Sequence, residues 1–409
     1  MSVDPFAPAR LGPLSLRNRF VKAATFEGAS PRGEVTDALV DFHRRVGEGG
    51  AALSTVAYLA VSPEGRTDRH CIVLDDDARS ALRRLTDAVH ATGAAVGAQL
   101  GHAGPVANPR SNRMPALAPS RHVSPLGTTA KAVPAAEITR ITGDFAAAAR
   151  RAVEAGFDSL EIHMGHNYLL SAFLSPRLNR RRDAFGGDVA GRARFARDVA
   201  VAVREAVGDR AAVTAKLNMA DGVPGGLWLE DSVEVARLLE ADGALDALTL
   251  TGGSSLSNPM YLFRGEAPRR EFAATLPGPA RLGFRAVGRR FMVEYPFEEA
   301  FFLPYARQFR AALKMPLVLL GGVTRLETVH RALDEGFSFV AMARALLREP
   351  DLVNAMRADA SHASLCIHCN RCMPTIYRGT RCVLVPGAPA PPGGAPAAGA
   401  GALSAPAPR

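Results

Sequence analysis

Lysine is nearly missing from this chain. Of 49 lysines and arginines, only residues 22, 131, 216 and 314 are lysine. The formal net charge of +9 is therefore carried by arginine, beside abundant alanine and glycine. That mixture reads as a coding bias toward GC-rich codons rather than as a basic face that tracks phosphates, and nucleic acid is not an expected partner. Long apolar runs are absent too. No stretch approaches the roughly eighteen residues a membrane helix needs. The opening residues MSVDPFAPARLGPL lack the charged-then-apolar order of a secretory signal, so a cytoplasmic location is expected. Cysteine is scarce except in one place, CIHCNRCMPTIYRGTRC (366–382), which holds four of the five. Such crowding in a cytosolic chain argues for metal before disulfides.

What the sequence does contain is an alternation. Apolar or β-branched runs at 20–25, 51–56, 94–100, 158–163, 212–217, 246–250, 316–320 and 337–342 read as eight strands. Amphipathic helical patterns lie between them, for example at 36–50, 77–93, 135–156 and 230–243, each closing on a glycine suited to a helix end. Strand then helix, eight times over, is the order of a parallel (β/α)8 TIM barrel. The competing doubly wound sheet expects a glycine-rich phosphate turn after its first strand, and KAATFEGAS is not one. The expected domains are a barrel over 1–362 with an insertion at 255–297 after strand six, a cysteine-rich segment at 363–385 packed on it, and a disordered Pro/Gly/Ala tail at 386–409.

Barrel chemistry sits at the C-terminal strand ends. There the sequence places Thr25, Gln99, His102, His163, His166, Lys216 and the TGGS run at 251–254. After strands seven and eight, Gly321, Gly322, Ala343 and Arg344 offer small residues, helix starts and a guanidinium for a phosphate, although a glycine after a strand also makes a plain tight turn. Two histidines three apart fit a metal pair or satisfied core residues as readily as a substrate clamp. Lys216 at a strand end also suits Schiff-base chemistry in a cofactor-free lyase. The four cysteines Cys366, Cys369, Cys372 and Cys382 suit an iron–sulfur cluster or structural zinc, or else reduced thiols. A redox or electron-transfer module built around them is the non-catalytic alternative.

Five segments in order, LRNRFVKAATFEG, AQLGHAGP, EIHMGHNYLLSAFLSPRLNRRRDAFGG, LLGGV and VAMARALLREP, resemble the old yellow enzyme family of FMN-dependent NADH:flavin oxidoreductases, over about residues 5 to 385. The resemblance implies an FMN-binding barrel that takes hydride from NAD(P)H and passes it, in a ping-pong order, to an activated C=C of an α,β-unsaturated carbonyl-type substrate. It implies that Ala24 and Thr25 lie at the flavin, with Thr25 near O4, that Gln99 meets the pyrimidine edge, and that Lys216 lies near N1 and O2. Gly321, Gly322, Ala343 and Arg344 would hold the phosphate, Ala343 standing where the family usually has glycine. His163 and His166 would clamp the substrate carbonyl, and Tyr168 would donate the proton. A subset of the family carries a [4Fe–4S] cluster at the point where the four cysteines occur. The expected partners are a small electrophile and nicotinamide, with a homo-oligomer as the expected assembly.

The insertion exceeds ordinary loop length, and long loops in compact domains usually serve function. If 280–293 is helical, Phe284, Val287 and Phe291 form an apolar stripe and Arg281, Arg285 and Arg289 another face. A lid over the flavin is the expectation, against a dimer contact, an interfacial helix or plain core packing.

Overall fold

The computed structural model describes residues 3 to 385 apart from 125–127 and 277; the side chains of residues 279, 287 and 377 are also outside the description. The expected tail at 386–409 thus lies outside the described residues, as does the Val287 side chain of the expected stripe.

Eight strands, Phe20–Phe26 (β1), Leu53–Ala60 (β2), Ala95–Gly101 (β3), Ser159–Met164 (β4), Ala212–Asn218 (β5), Ala247–Thr251 (β6), Leu317–Leu320 (β7) and Phe339–Met342 (β8), close into one barrel. Every neighbouring pair is parallel, and β8 pairs with β1 to complete the ring. Strands covered on both faces read as near-continuous apolar runs, and β2, β4, β5, β6, β7 and β8 are buried at every position. All eight expected strands are present. β2 starts two residues later than expected and runs on to Ala60, because the apolar run continues and a register shift against β3 between Val56 and Leu59 lets it follow the barrel wall.

The outer ring is Asp37–Glu48 (α1), Arg79–His90 (α2), Ala135–Glu154 (α3), Val189–Val207 (α4), Leu229–Ala241 (α5), Leu303–Ala312 (α6), Leu326–Asp334 (α7) and Leu352–Ala358 (α8). Local chemistry fixes several ends. Thr36 Oγ1 accepts from the Leu39 amide at 3.2 Å and Asp188 Oδ1 from the Gly191 amide at 2.8 Å, each satisfying a free donor of a first turn. Gly93 and Gly156 follow α2 and α3 at φ +74° and +92°, a conformation costly to any other residue. Among the described residues no helix is long and apolar enough to cross a membrane.

Long connections decorate the upper rim. After β3, Ala116–Ala118, His122–Val123 and Thr129–Ala132 form a small sheet that the sequence did not disclose. The connection between β6 and α6 carries three helices, Met260–Phe263, Arg269–Thr275 and Gly278–Phe291, around its own apolar cluster of Met260, Phe272, Phe284 and Met292. Met373 of the cysteine segment joins that cluster.

The lower end is plugged by a hairpin, Ala9–Leu11 with Leu14–Leu16, whose apolar residues meet Leu53, Ala212, Val318 and Phe339 inside the barrel. Arg17 ties this plug to the helix ends: Nη2 donates to Gly47 O and, at 2.8 Å, to Ala51 O, while Nη1 donates to Thr92 O at 2.9 Å. Replacing Arg17 by Met keeps the stem but removes the donors. Urea unfolding should show a loss of about 2 kcal/mol, and a change below about 0.5 kcal/mol, the level of a neutral surface substitution, would contradict the clamp.

Candidate active site

The polar residues of the upper rim begin with a problem of burial. Glu161 points inward from β4, where a lone carboxylate would be strongly disfavoured. Register places Gln99 of β3 beside it, and the same Oε1 accepts from Gln99 Nε2 at 2.7 Å and pairs with Lys216 Nζ at 3.0 Å. One carboxylate thus holds the two expected flavin contacts, from the strands on either side. On β1, Lys22 repeats the arrangement: its Nζ donates to Glu27 Oε1 at 2.8 Å and to Thr55 O at 3.0 Å. Glu161, Lys22 and Glu27 escaped the sequence reading. For Glu161 and Lys22, an acid or lysine inside a buried strand was the available signal, since such a charge requires a buried partner.

His163 lies within β4, and His166 sits on the turn that follows it, where the backbone is unusual. His166 and Asn167 both have φ +60°, a left-handed conformation disfavoured for residues with a Cβ. The turn is held from below. The His166 amide donates to Asn218 Oδ1 at 3.0 Å, Asn218 Nδ2 donates to Asp221 Oδ1 at 2.8 Å, and Asp221 Oδ2 accepts from Ser175 Oγ at 2.6 Å and the Leu227 amide at 2.9 Å. The His166 ring meets Thr251 Oγ1 through Nε2 at 3.0 Å. Its centroid lies 5.2 Å from that of His163, which in turn lies 4.5 Å from Tyr168; Tyr168 stands edge-on to Tyr58. His163 Nδ1 is buried without a hydrogen-bond partner. Asn218 and Asp221 are further functional residues missed in the sequence, because nothing in LNMADG marks them as the support of a turn fifty residues away.

Both imidazoles are neutral at ordinary pH. Burial, then His166 and the Lys216 ammonium, hold His163 well below the usual imidazole value. Burial and Lys216 bring His166 down to about 3. A neutral imidazole keeps one N–H donor without placing another full charge in the site.

At the opposite end, Gly321 and Gly322 adopt φ +110° and +77° and press on Phe302 and Phe301, where an added Cβ would come within 2.5 and 2.6 Å. Only glycine serves at either position. Arg344 is half-buried and donates through Nη1 to Arg264 O at 2.8 Å and to Asn370 Oδ1, joining the end of β8 to the insertion and to the cysteine segment. Burial pushes its guanidinium down, while Cys366, Cys372 and Cys369 nearby act in the opposite direction.

These parts enclose a cavity of about 480 Å3, within the roughly 300–1,000 Å3 usual for small-molecule and cofactor sites. All eleven residues expected at the flavin or substrate line it: Ala24, Thr25, Gln99, His163, His166, Tyr168, Lys216, Gly321, Gly322, Ala343 and Arg344. Lys22 lines it too; His102 does not, its ring being buried with Nδ1 accepting from the Gly104 amide at 3.0 Å. From the insertion, Phe263, Phe272 and Phe291 form part of the wall, and Cys372 and Met373 add to it. A fixed cation, an amide and neutral donors at one end, with glycine turns and a guanidinium at the other, fit FMN.

The cysteines do not meet the same test. All five are free thiols, and burial pushes Cys372 up to about 12. Among the described residues no group of three or more His, Cys, Asp or Glu lies close enough to hold a metal ion.

A closed parallel barrel with this rim defines a flavin-dependent oxidoreductase. The chain matches the NADH:flavin oxidoreductase / NADH oxidase family over residues 4–248 and belongs to that family, which contains the old yellow enzymes. It is an NAD(P)H:flavin oxidoreductase that uses FMN. It is 60% identical over 381 residues, 93% of this chain and 94% of the relative, to a 4,4'-dithiodibutanoate disulfide reductase of Rhodococcus erythropolis. A metal reductase of Desulforamulus reducens is 33% identical over 91% of this chain, which spans only 52% of that longer protein. In fold, the old yellow enzyme homologue from Zymomonas mobilis superposes with a TM-score of 0.71 at 23% identity, covering 90% of this chain and 96% of the homologue.

Burial of neutral histidines has a measurable consequence. His43, His163 and His166 all lie below the ordinary imidazole value, with His102 and His368 at about 4. Depressed folded-state values mean that the unfolded chain binds more protons below about pH 6.5. Their stabilising effect is full above that pH and is lost as the pH falls toward 4. The thermal midpoint should drop steadily from pH 7 to pH 5, each such histidine contributing up to about 1.4 kcal/mol per pH unit. The paired substitution His163→Asn and His166→Asn should flatten that slope; an unchanged slope would contradict the neutral pair.

Proposed function

We propose that this enzyme reduces a small electrophile bearing an activated C=C, held by its carbonyl oxygen against His163 and His166. FMN held in this cavity would supply the two-electron carrier between NAD(P)H and the acceptor, in two separate half-reactions. Ala24, Thr25, Gln99 and Lys216 would hold the ring end of that cofactor, and Gly321, Gly322, Ala343 and Arg344 its phosphate. The observation that carries the reading is the pair of neutral imidazoles, His163 buried and His166 half-buried, facing a cavity that a buried lysine also lines.

The residues divide the work. His163 and His166 donate to the acceptor oxygen where negative charge develops, and a pre-placed donor of this kind contributes about 3 kcal/mol. Thr251 takes part by fixing the His166 ring through Nε2. The Tyr168 hydroxyl supplies the proton that the α-carbon needs, from a ring 4.5 Å from that of His163. Phe263, Phe272 and Phe291 of the insertion exclude water from the same space, the role of a lid. The four cysteines carry no step here.

A second reading is favoured by the 60% identical relative, named for reducing an organic disulfide. There, NAD(P)H, a proton and one disulfide give oxidised nicotinamide and two thiols, with Tyr168 protonating a departing thiolate. Anaerobic steady-state assays with a cyclic enone and with a short-chain dicarboxylate disulfide separate the two. The proposal expects turnover of the enone and a fall of about 10²–10³-fold in its kcat/KM when His163 and His166 are replaced by Ala. Turnover of the disulfide alone would transfer the assignment to the second reading.

A further inference from the structure

Two of the chain's four lysines are buried in one cavity wall. Lys22 is 2% exposed and Lys216 1%. Each is paired with a carboxylate, Lys22 with Glu27 at 2.8 Å and Lys216 with Glu161 at 3.0 Å. In both pairs the lysine lines the cavity and the carboxylate does not. Glu27 is turned into the wall behind, among Leu39, Val56 and Ala57, where Oε2 accepts from the Ala57 amide at 3.2 Å and His43 Nε2 lies 3.4 Å from Oε1. His43 is itself held by Ser54 Oγ at 2.8 Å.

The two ion pairs are therefore dipoles with their positive ends toward the cavity, which makes the floor electropositive although each pair is formally neutral. Asp68 and Arg344 are the other charged residues in its lining. Buried ion pairs contribute little to stability compared with apolar replacements of similar volume. Burial holds Lys22 below the usual lysine value; Glu27 opposes that shift and Lys216 adds to it, so the Lys22 charge depends on Glu27. Its Nζ has three donors; Glu27 and Thr55 O take two.

We propose that Lys22, anchored by Glu27, is a second charge-tuning residue that acts with Lys216 to favour the reduced state of the bound flavin. The inference rests on the FMN reading above. Its charge balance is simple: with FMN bound, hydride from NAD(P)H would add two electrons and one proton to the flavin and leave oxidised nicotinamide, so the flavin beside these lysines would carry one additional negative charge. A compact ammonium oriented in advance, in a site of low dielectric, favours that change without reorganisation.

The test is the two-electron midpoint potential of the FMN-loaded enzyme, measured by anaerobic titration against a reference dye. Lys22→Met leaves Glu27 buried and unpaired, which threatens folding. The double variant Lys22→Met with Glu27→Gln removes both charges and keeps the volume. Both variants should prefer reduced flavin about tenfold less than the wild type, a fall of roughly 30 mV for a two-electron couple, with the larger fall in the single variant. A double variant that holds FMN with a potential within about threefold of the wild type, roughly 15 mV, would overturn the inference alone. A folded double variant that no longer takes up oxidised FMN would also overturn it, by making Lys22 an anchor rather than a tuner. Failure of the wild-type chain to bind FMN would overturn the cofactor reading and this inference with it.

Discussion

A carboxylate buried in a barrel wall must be paired, and the rim of this protein is organised by that requirement. Glu161 accepts from Gln99 on one neighbouring strand and Lys216 on the other. Three strands are locked in register by one side chain, and because Lys216 pairs in register with His163, the height of the first histidine is set by the same lock. Removing either member of such a pair leaves a charge stranded in a low-dielectric wall, typically at about 3–5 kcal/mol. The arrangement on β1 follows the same rule through Lys22 and Glu27.

Burial then does two further things. It holds His163 and His166 neutral beside a fixed ammonium, so that donors and cation coexist without adding imidazolium charges. It also strengthens the field inside the cavity, whose lining includes the insertion's aromatic residues Phe263, Phe272 and Phe291. Arg344 makes these parts interdependent. Its guanidinium bridges the insertion at Arg264 and the cysteine segment at Asn370, whose own amide donates to Arg264 O at 3.0 Å and Glu266 O at 2.9 Å. The sequence presents Arg344 as a candidate phosphate ligand; in the structure it joins the insertion to the cysteine segment.

The fold was legible because parallel strands covered on both faces are continuous apolar runs, and their order with the intervening helices leaves few topologies. The rim was legible for a related reason: a polar residue ending such a run has one place to go in a barrel, so Gln99, His163 and Lys216 declared themselves by position. What lies behind the rim did not. Glu161 and Lys22 sit inside strands whose sequence alone does not show the partner that makes them tolerable. Asn218 and Asp221 act on a turn distant in sequence, through hydrogen bonds that no periodicity encodes. The small sheet after β3 has strands of two to four residues, too short to leave a pattern. The insertion gave its apolar helix but not its destination: Phe284 packs with Phe272 and Met373, tying the cap to the cysteine segment. The cysteines gave a spacing, while their geometry depends on how that segment is drawn around Arg344.

FMN held at the rim, passing electrons from nicotinamide to an acceptor, has a direct spectral signature. The most direct measurement is the visible spectrum of anaerobically purified enzyme, recorded alone, after one equivalent of NADH or NADPH, and again after an acceptor. The expected result is a flavin spectrum that bleaches with nicotinamide and returns with the acceptor. A colourless protein that stays colourless after added FMN, despite a folded barrel, would contradict it.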